Sequence, residues 1–320
     1  MRTVQRRGLL WAGETVPDYG ALEDDEHAIE VTGRAVVDYT FARIFGLDSA
    51  TVVRSATAKA KPGDGSVGSG LFFAGDQRPA RYGVTINGSH QRVEGSIHSN
   101  TKMRVNGSHQ TIIGDVEYLN SYLINGNHFT HDGDFVESTV QPYPVDFTWE
   151  QFDQGPWDHD VSSLSINGAN KTVAPGRWRI RGNMTVNGSR FHCDGCLFVV
   201  DGTVMINGSR HILDNTIFVS QNTITFNGGI QRYSALVDNL FAFSTLSYYD
   251  WTAITMNGAD QETWGMFYAP NAGLVYNGSG QEIHHGGLIA KTITINGSSG
   301  TFCGFGDGGS GGSPEIELIK

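Results

Sequence analysis

The sequence predicts an all-β chain wound as a parallel β-helix, a solenoid of about eleven turns of about 20 residues each, with a small N-terminal α+β module. Three observations carry this. An apolar residue followed by Asn-Gly recurs at Asn87, Asn106, Asn125, Asn167, Asn187, Asn207, Asn227, Asn257, Asn277 and Asn296. The spacings between these asparagines are 19, 19, 42, 20, 20, 20, 30, 20 and 19 residues. Other positions keep the same phase. Gln or His stands four residues on (Gln91, Gln110, His211, Gln231, Gln261, Gln281), Gly or Asn eight on (Gly95, Gly114, Asn215), and an apolar residue ten on (Ile97, Val116, Phe135, Ile217).

Asn-Gly is ordinarily a hairpin signal. Hairpins do not explain a period held through ten copies, whereas coiling the chain so that each turn stacks on the last does. Asn and Gly tolerate the left-handed backbone of a sharp corner. Stacked asparagines can hydrogen-bond along the axis as a ladder. At about 4.8 Å per rung, eleven turns make a rod roughly 50 Å long.

Before the repeats, residues 1–27 are polar and contain no apolar core of the signal-peptide kind. Residues 28–37 alternate like a strand, Asp38 to Gly46 reads as a short helix, and Asp48 to Ala60 returns to a strand. Residues 1–60 thus form the small strand–helix–strand module, and the Gly/Ser-rich stretch 61–70 is a linker. The solenoid is expected over 71–306. The 42-residue gap reads as one ordinary turn plus an insertion with Trp149, Phe152 and Trp157, and the 30-residue gap adds Tyr248, Tyr249 and Trp251. Residues 307–313 form a second linker, and 314–320 alternate like a strand.

A formal charge of −11 argues against nucleic acid as a partner. No apolar run reaches the length of a membrane span. Cys193 and Cys196 stand as C-x-x-C in one repeat, with Cys303 about five turns away, too far to complete a zinc site. A local disulfide or two packed thiols fits the pair, and either suits a chain outside the cytoplasm.

Val31 to Ala60, centred on Phe41-Ala42-Arg43-Ile44-Phe45-Gly46-Leu47-Asp48, resembles the segment that follows the membrane helix in TadG-like proteins of Tad/Flp pilus systems. Gly95 to Asn100, Gly265 to Pro270 and Gly286 to Ala290 are similar to repeat regions of pilus-associated surface proteins. The repeats also resemble in style those of bactofilins. That resemblance implies a right-handed β-helix that polymerises end to end. The family's N-terminal membrane helix has no counterpart in this sequence.

Candidate chemistry is sparse. Asp115 and Asp134, each nine residues past an Asn, are expected to stack within about 5 Å, close enough to share a Ca²⁺ or to act as a glycosidase pair. No other cofactor is expected. His90, His109 and His128, three residues past their asparagines, are expected to form a column. Asn-Gly-Ser also satisfies the glycosylation sequon, but the repeat accounts for it without a glycan. Trp149, Trp157, Tyr248, Tyr249 and Trp251 are candidates for stacking on sugar rings or a neighbouring subunit, or for capping the solenoid's own side. Glu315, Ile316, Glu317, Leu318 and Ile319 form a candidate assembly strand.

The expectation that follows is a non-catalytic, self-associating subunit, extracellular or at the cell surface. Its partners would be copies of itself, with pilus components or a surface polysaccharide as further candidates. A carbohydrate-binding adhesin and a polysaccharide-degrading β-helix enzyme are the competing readings.

Overall fold

The computed structural model describes residues 28–38, 49–63, 70–235, 240–248, 250–284, 286–304 and 312–319, the backbone alone in the first two stretches, at residues 70 and 71, and in the last stretch. The chain divides into two units, residues 67–310 and residues 1–66 with 311–320.

The larger unit is the solenoid, in which every strand pairing is parallel. Each winding has three faces. Val204–Asn207 shows why the repeat forms a strand: Val204 and Ile206 are buried, while Met205 between them is 40% exposed. That is the period-two pattern of a sheet with one side on the core. Six of the ten asparagines are the last residue of their strand on this asparagine face, Asn87 follows the strand that ends at Ile86, and Asn257, Asn277 and Asn296 lie two residues before their strand's end. Gly208, next in line, has φ +123°, and a Cβ there would overlap the Gly188 carbonyl of the winding beneath. Arg210 then takes φ +60°, and the residues in its place in the other windings do likewise, so the corner is sharp.

The windings do not stack in chain order. Leu288–Ser298 pairs with both Gly70–Ala74 and Tyr82–Ile86, and Thr301–Cys303 pairs with Arg92–Glu94. The stack therefore runs from residue 159 to residue 304, continues at residue 70 and ends at residue 137. Chain order was expected to hold through the 42-residue gap, which reads as one ordinary turn plus an insertion. The insertion is there, since residues 138–158 make no winding, but the stack ends before it at residue 137 and begins after it at residue 159. The insertion forms a strap that travels back along one side, touching Asn100, Phe73, Tyr268, Phe243 and Arg177 in turn.

The strap explains a feature of the strands beneath it. Leu197-Phe198-Val199-Val200 is buried throughout. Phe198 and Val200 point into the main core, while Leu197 and Val199 point outward into a second apolar cluster with Phe73, Phe243, Tyr268 and Ile289. Phe147, Trp149, Phe152 and Trp157 of the strap pack against this cluster. A strand covered on both sides reads as a continuous apolar run. One helical turn, Trp149–Phe152, begins with Thr148 donating its backbone N–H to Gln151 Oε1 at 2.9 Å.

Among the described residues the strap face has eleven rungs: His159–Val161, Gly176–Ile180, His192–Val200, Ile212–Ser220, Leu240–Ser244, Met266–Ser279, Leu288–Ser298, Gly70–Ala74, Ser96–Ser99, Val116–Tyr118 and Phe135–Glu137. The asparagine face has ten, from Leu164–Asn167 to Tyr122–Asn125. The third face also has ten, from a bridge at Thr172 to Thr130–Asp132.

The smaller unit is a three-stranded antiparallel sheet. Ser49–Gly63 is its centre, between Ala28–Asp38 and Gly312–Ile319. The helix expected at Asp38 to Gly46 falls largely on residues 39–48, outside the described residues. The expected linkers shorten at their strand ends, since one strand runs to Gly63 and the last begins at Gly312. Among the described residues, no helix is long and apolar enough to cross a membrane.

Candidate functional site

The ten asparagines form one unbroken ladder. In stack order they run Asn167, Asn187, Asn207, Asn227, Asn257, Asn277, Asn296, Asn87, Asn106 and Asn125. Each Nδ2 donates to the Oδ1 of the asparagine before it, at 2.7–3.2 Å. The ladder has a direction. Asn125 is left with an acceptor oxygen at one end of the solenoid, and Asn167 with a donor amide at the other.

The glutamines four residues on form a second, inward ladder, whose role the sequence reading left unassigned. Gln110, Gln231, Gln261 and Gln281 are buried and donate Nε2 to the carbonyls of Gly88, Gly208, Gly228 and Gly258 at 2.7–2.8 Å. His211 occupies the same slot. Its Nδ1 accepts the Phe191 backbone N–H at 3.1 Å, and burial holds its pKa below the usual histidine value, against a smaller opposing bond to Asn207.

The two ends are open. Among the described residues, Tyr122–Asn125, Thr130–Asp132 and Phe135–Glu137 each pair on one edge only, as do His159–Val161 and Leu164–Asn167. Among the nine large apolar residues most exposed in the described chain, Tyr122 (46%), Leu123 (40%), Val136 (47%) and Val140 lie in or just after the last winding. The clustering marks that end as an uncovered surface rather than scattered exposure.

Other expected residues fall as follows. His90, His109 and His128 do form a column, their rings parallel with centroids 4.7 and 4.5 Å apart. Asp115 and Asp134 occupy neighbouring rungs, and the Asp134 N–H donates to Asp115 Oδ1 at 3.0 Å. Both sit at an exposed corner, and no group of three or more His, Cys, Asp or Glu suited to a metal occurs among the described residues. Cys193 and Cys196 form a buried disulfide. Cys303 is a free thiol whose pKa is raised by burial and by Glu94.

The aromatic candidates separate into two kinds. Trp149 and Trp157 cap the solenoid's own side as part of the strap, with Arg179 and Arg177 over their rings. Tyr248 (59% exposed) and Trp251 (58%) stack on each other at 5.1 Å in the open. Their loop is tied by Asp250 to Arg78 and Arg81, at 3.2 and 2.7 Å. Burial pushes the Asp76 carboxyl up, but its hydrogen bonds with Arg78 outweigh this and hold the pKa below the usual value. Tyr249 lies outside the described residues.

The candidate assembly strand, Glu315 to Ile319, is paired within its own chain, with Glu315 opposite Lys61 and Ile319 opposite Thr57. It occupies an outer position in its sheet, so the open ends of the solenoid are the larger set of unpaired edges.

No family model, no curated protein and no solved structure matches this chain.

Proposed function

We propose that the protein is a structural subunit whose solenoid joins other copies end to end into a rod, outside the cell or at its surface. The observation that carries this reading is the pair of open ends. Unpaired parallel strand edges are templates for further strands, and the asparagine ladder presents an acceptor at one end and a donor at the other. The last winding adds apolar surface at Tyr122 and Leu123. An oxidising compartment is supported by the buried Cys193–Cys196 disulfide. A pilus-associated role would rest on the Phe41 to Gly46 stretch, which lies outside the described residues. A structural rather than catalytic role is favoured by the exposed, unenclosed setting of Asp115 and Asp134.

Light scattering and electron microscopy of the purified protein test this. Concentration-dependent rods are expected, and Tyr122→Lys/Leu123→Lys should reduce them to monomers, since edge lysines oppose strand addition. A protein that stays monomeric at every concentration would refute the reading.

The exposed Tyr248–Trp251 stack favours carbohydrate binding as a second reading. It predicts glycan-array binding that Trp251→Ala abolishes.

A further inference from the structure

The rung counts place a steric condition on any such joint. In a head-to-tail joint, Leu164–Asn167 of the incoming copy pairs on Tyr122–Asn125, and the ladder continues from Asn125 to Asn167. The incoming strand before it, His159–Val161, then belongs on the free edge of Val116–Tyr118. Phe135–Glu137 of the first copy already occupies that edge. The strap face has eleven rungs where the other faces have ten, so two strands compete for one place.

We propose that the partner is a second copy of this chain, seated head to tail, and that its His159–Val161 displaces Phe135–Glu137 as the joint forms. This rests on the end-to-end reading above.

Relative anchoring decides which strand yields. Asp160 is held by Arg181 at 3.0 and 2.7 Å, His159 stacks on Trp178 at 3.8 Å, and Asp158 accepts the Arg177 N–H at 2.8 Å. By contrast, Phe135, Val136 and Glu137 make no side-chain hydrogen bond or ion pair among the described residues. The Phe135 ring contacts Tyr122, Phe129 and His131, all of the same terminal winding.

The displaced segment is also bounded. Gln141 is clamped to Asn100 by two hydrogen bonds of 2.7 Å, so release stops at residue 140 and the strap stays in place. The incoming strand brings the same inward phase, His159 and Val161 replacing Phe135 and Glu137. Asp160 arrives beside Glu117, but each already has a partner, Arg181 and His98 respectively.

A redox-switchable lock tests this. Val136 and Glu117 are directly opposed in register, and a pair of cysteines there is within disulfide reach. The full-length Val136→Cys/Glu117→Cys protein is compared oxidised and reduced by light scattering and microscopy, with the parent under both conditions as control. The oxidised form is expected to remain monomeric while the reduced form assembles like the parent, and Phe135→Ala should assemble faster. Equal assembly of the oxidised and reduced forms would overturn strand displacement and leave the end-to-end reading standing. A monomeric parent would overturn both. Failure of the cysteine pair to oxidise would contradict the register on which the rung count rests.

Discussion

At the residue scale the corner amides carry the repeat. An interior ladder asparagine makes two side-chain hydrogen bonds, as Asn207 does with Asn187 and Asn227. At about 1 kcal/mol for each, Asn207→Ala is expected to cost about 2 kcal/mol in chemical denaturation, and Asn125→Ala, at the ladder's end, about half as much. The ladder was legible because the Asn-Gly signal repeats at a near-constant spacing. The role of the inward glutamines was not. Gln91, Gln110, Gln231, Gln261 and Gln281 recur in the sequence, but a polar residue four positions past a corner reads equally as solvent-facing. Only the winding beneath supplies the partner that justifies burying it, a glycine carbonyl for Gln110, Gln231, Gln261 and Gln281 and the Gly300 N–H for Gln91.

His211 in that slot makes stability pH-dependent. Its folded pKa lies below the unfolded value of 6.5, so the unfolded chain binds the proton more readily. The neutral ring's contribution is complete above about pH 6.5 and is lost as pH falls through the lower folded value. The melting temperature should therefore drop on acidification in that window. His211→Gln should remove this component, and its Nε2 should reach the Gly188 carbonyl. An unchanged acid dependence in the variant would show that other groups set it.

At the scale of elements, the strap is what the sequence concealed. Residues 138–158 contain Pro142, Tyr143, Pro144 and Phe147, a composition that reads as a surface insertion. Twenty-one extended residues reach about 70 Å, enough to return along a stack of about 50 Å. The clue lay elsewhere, in the runs Leu197-Phe198-Val199-Val200 and Leu71-Phe72-Phe73-Ala74, apolar at successive positions where a one-sided strand would alternate. Tyr143 donates to the Pro270 carbonyl at 2.7 Å, and Phe147 packs on Phe243 and Tyr268. Phe147→Ala should cost about 2 kcal/mol by lost burial, and should raise hydrogen exchange over residues 143–153 before that of the core strands.

At the scale of the whole solenoid, the order of windings could not be read from the repeats, because one Asn-Gly corner fits any other. What the structure adds is that the chain enters the solenoid at Gly70 and leaves it at Gly304 on consecutive parts of one helical path. Gly304 donates to the Glu94 carbonyl at 2.8 Å, where a continuous solenoid would run on into the strand Gly70–Ala74. Entry and exit therefore lie within the stack, and both ends of the solenoid are built from interior segments of the chain. This arrangement leaves those ends open for end-to-end joining.

The most direct test of that order is intramolecular cross-linking in the dilute monomer. Ser89 and Ser298 form a bridge across neighbouring windings, 209 residues apart in sequence. Ser89→Cys/Ser298→Cys is expected to close an internal disulfide on oxidation, seen as a faster-migrating band and confirmed by peptide mapping. Asn127→Cys/Ala169→Cys, which would be neighbours if the windings stacked in chain order, should not. Closure of the second pair without the first would contradict the account.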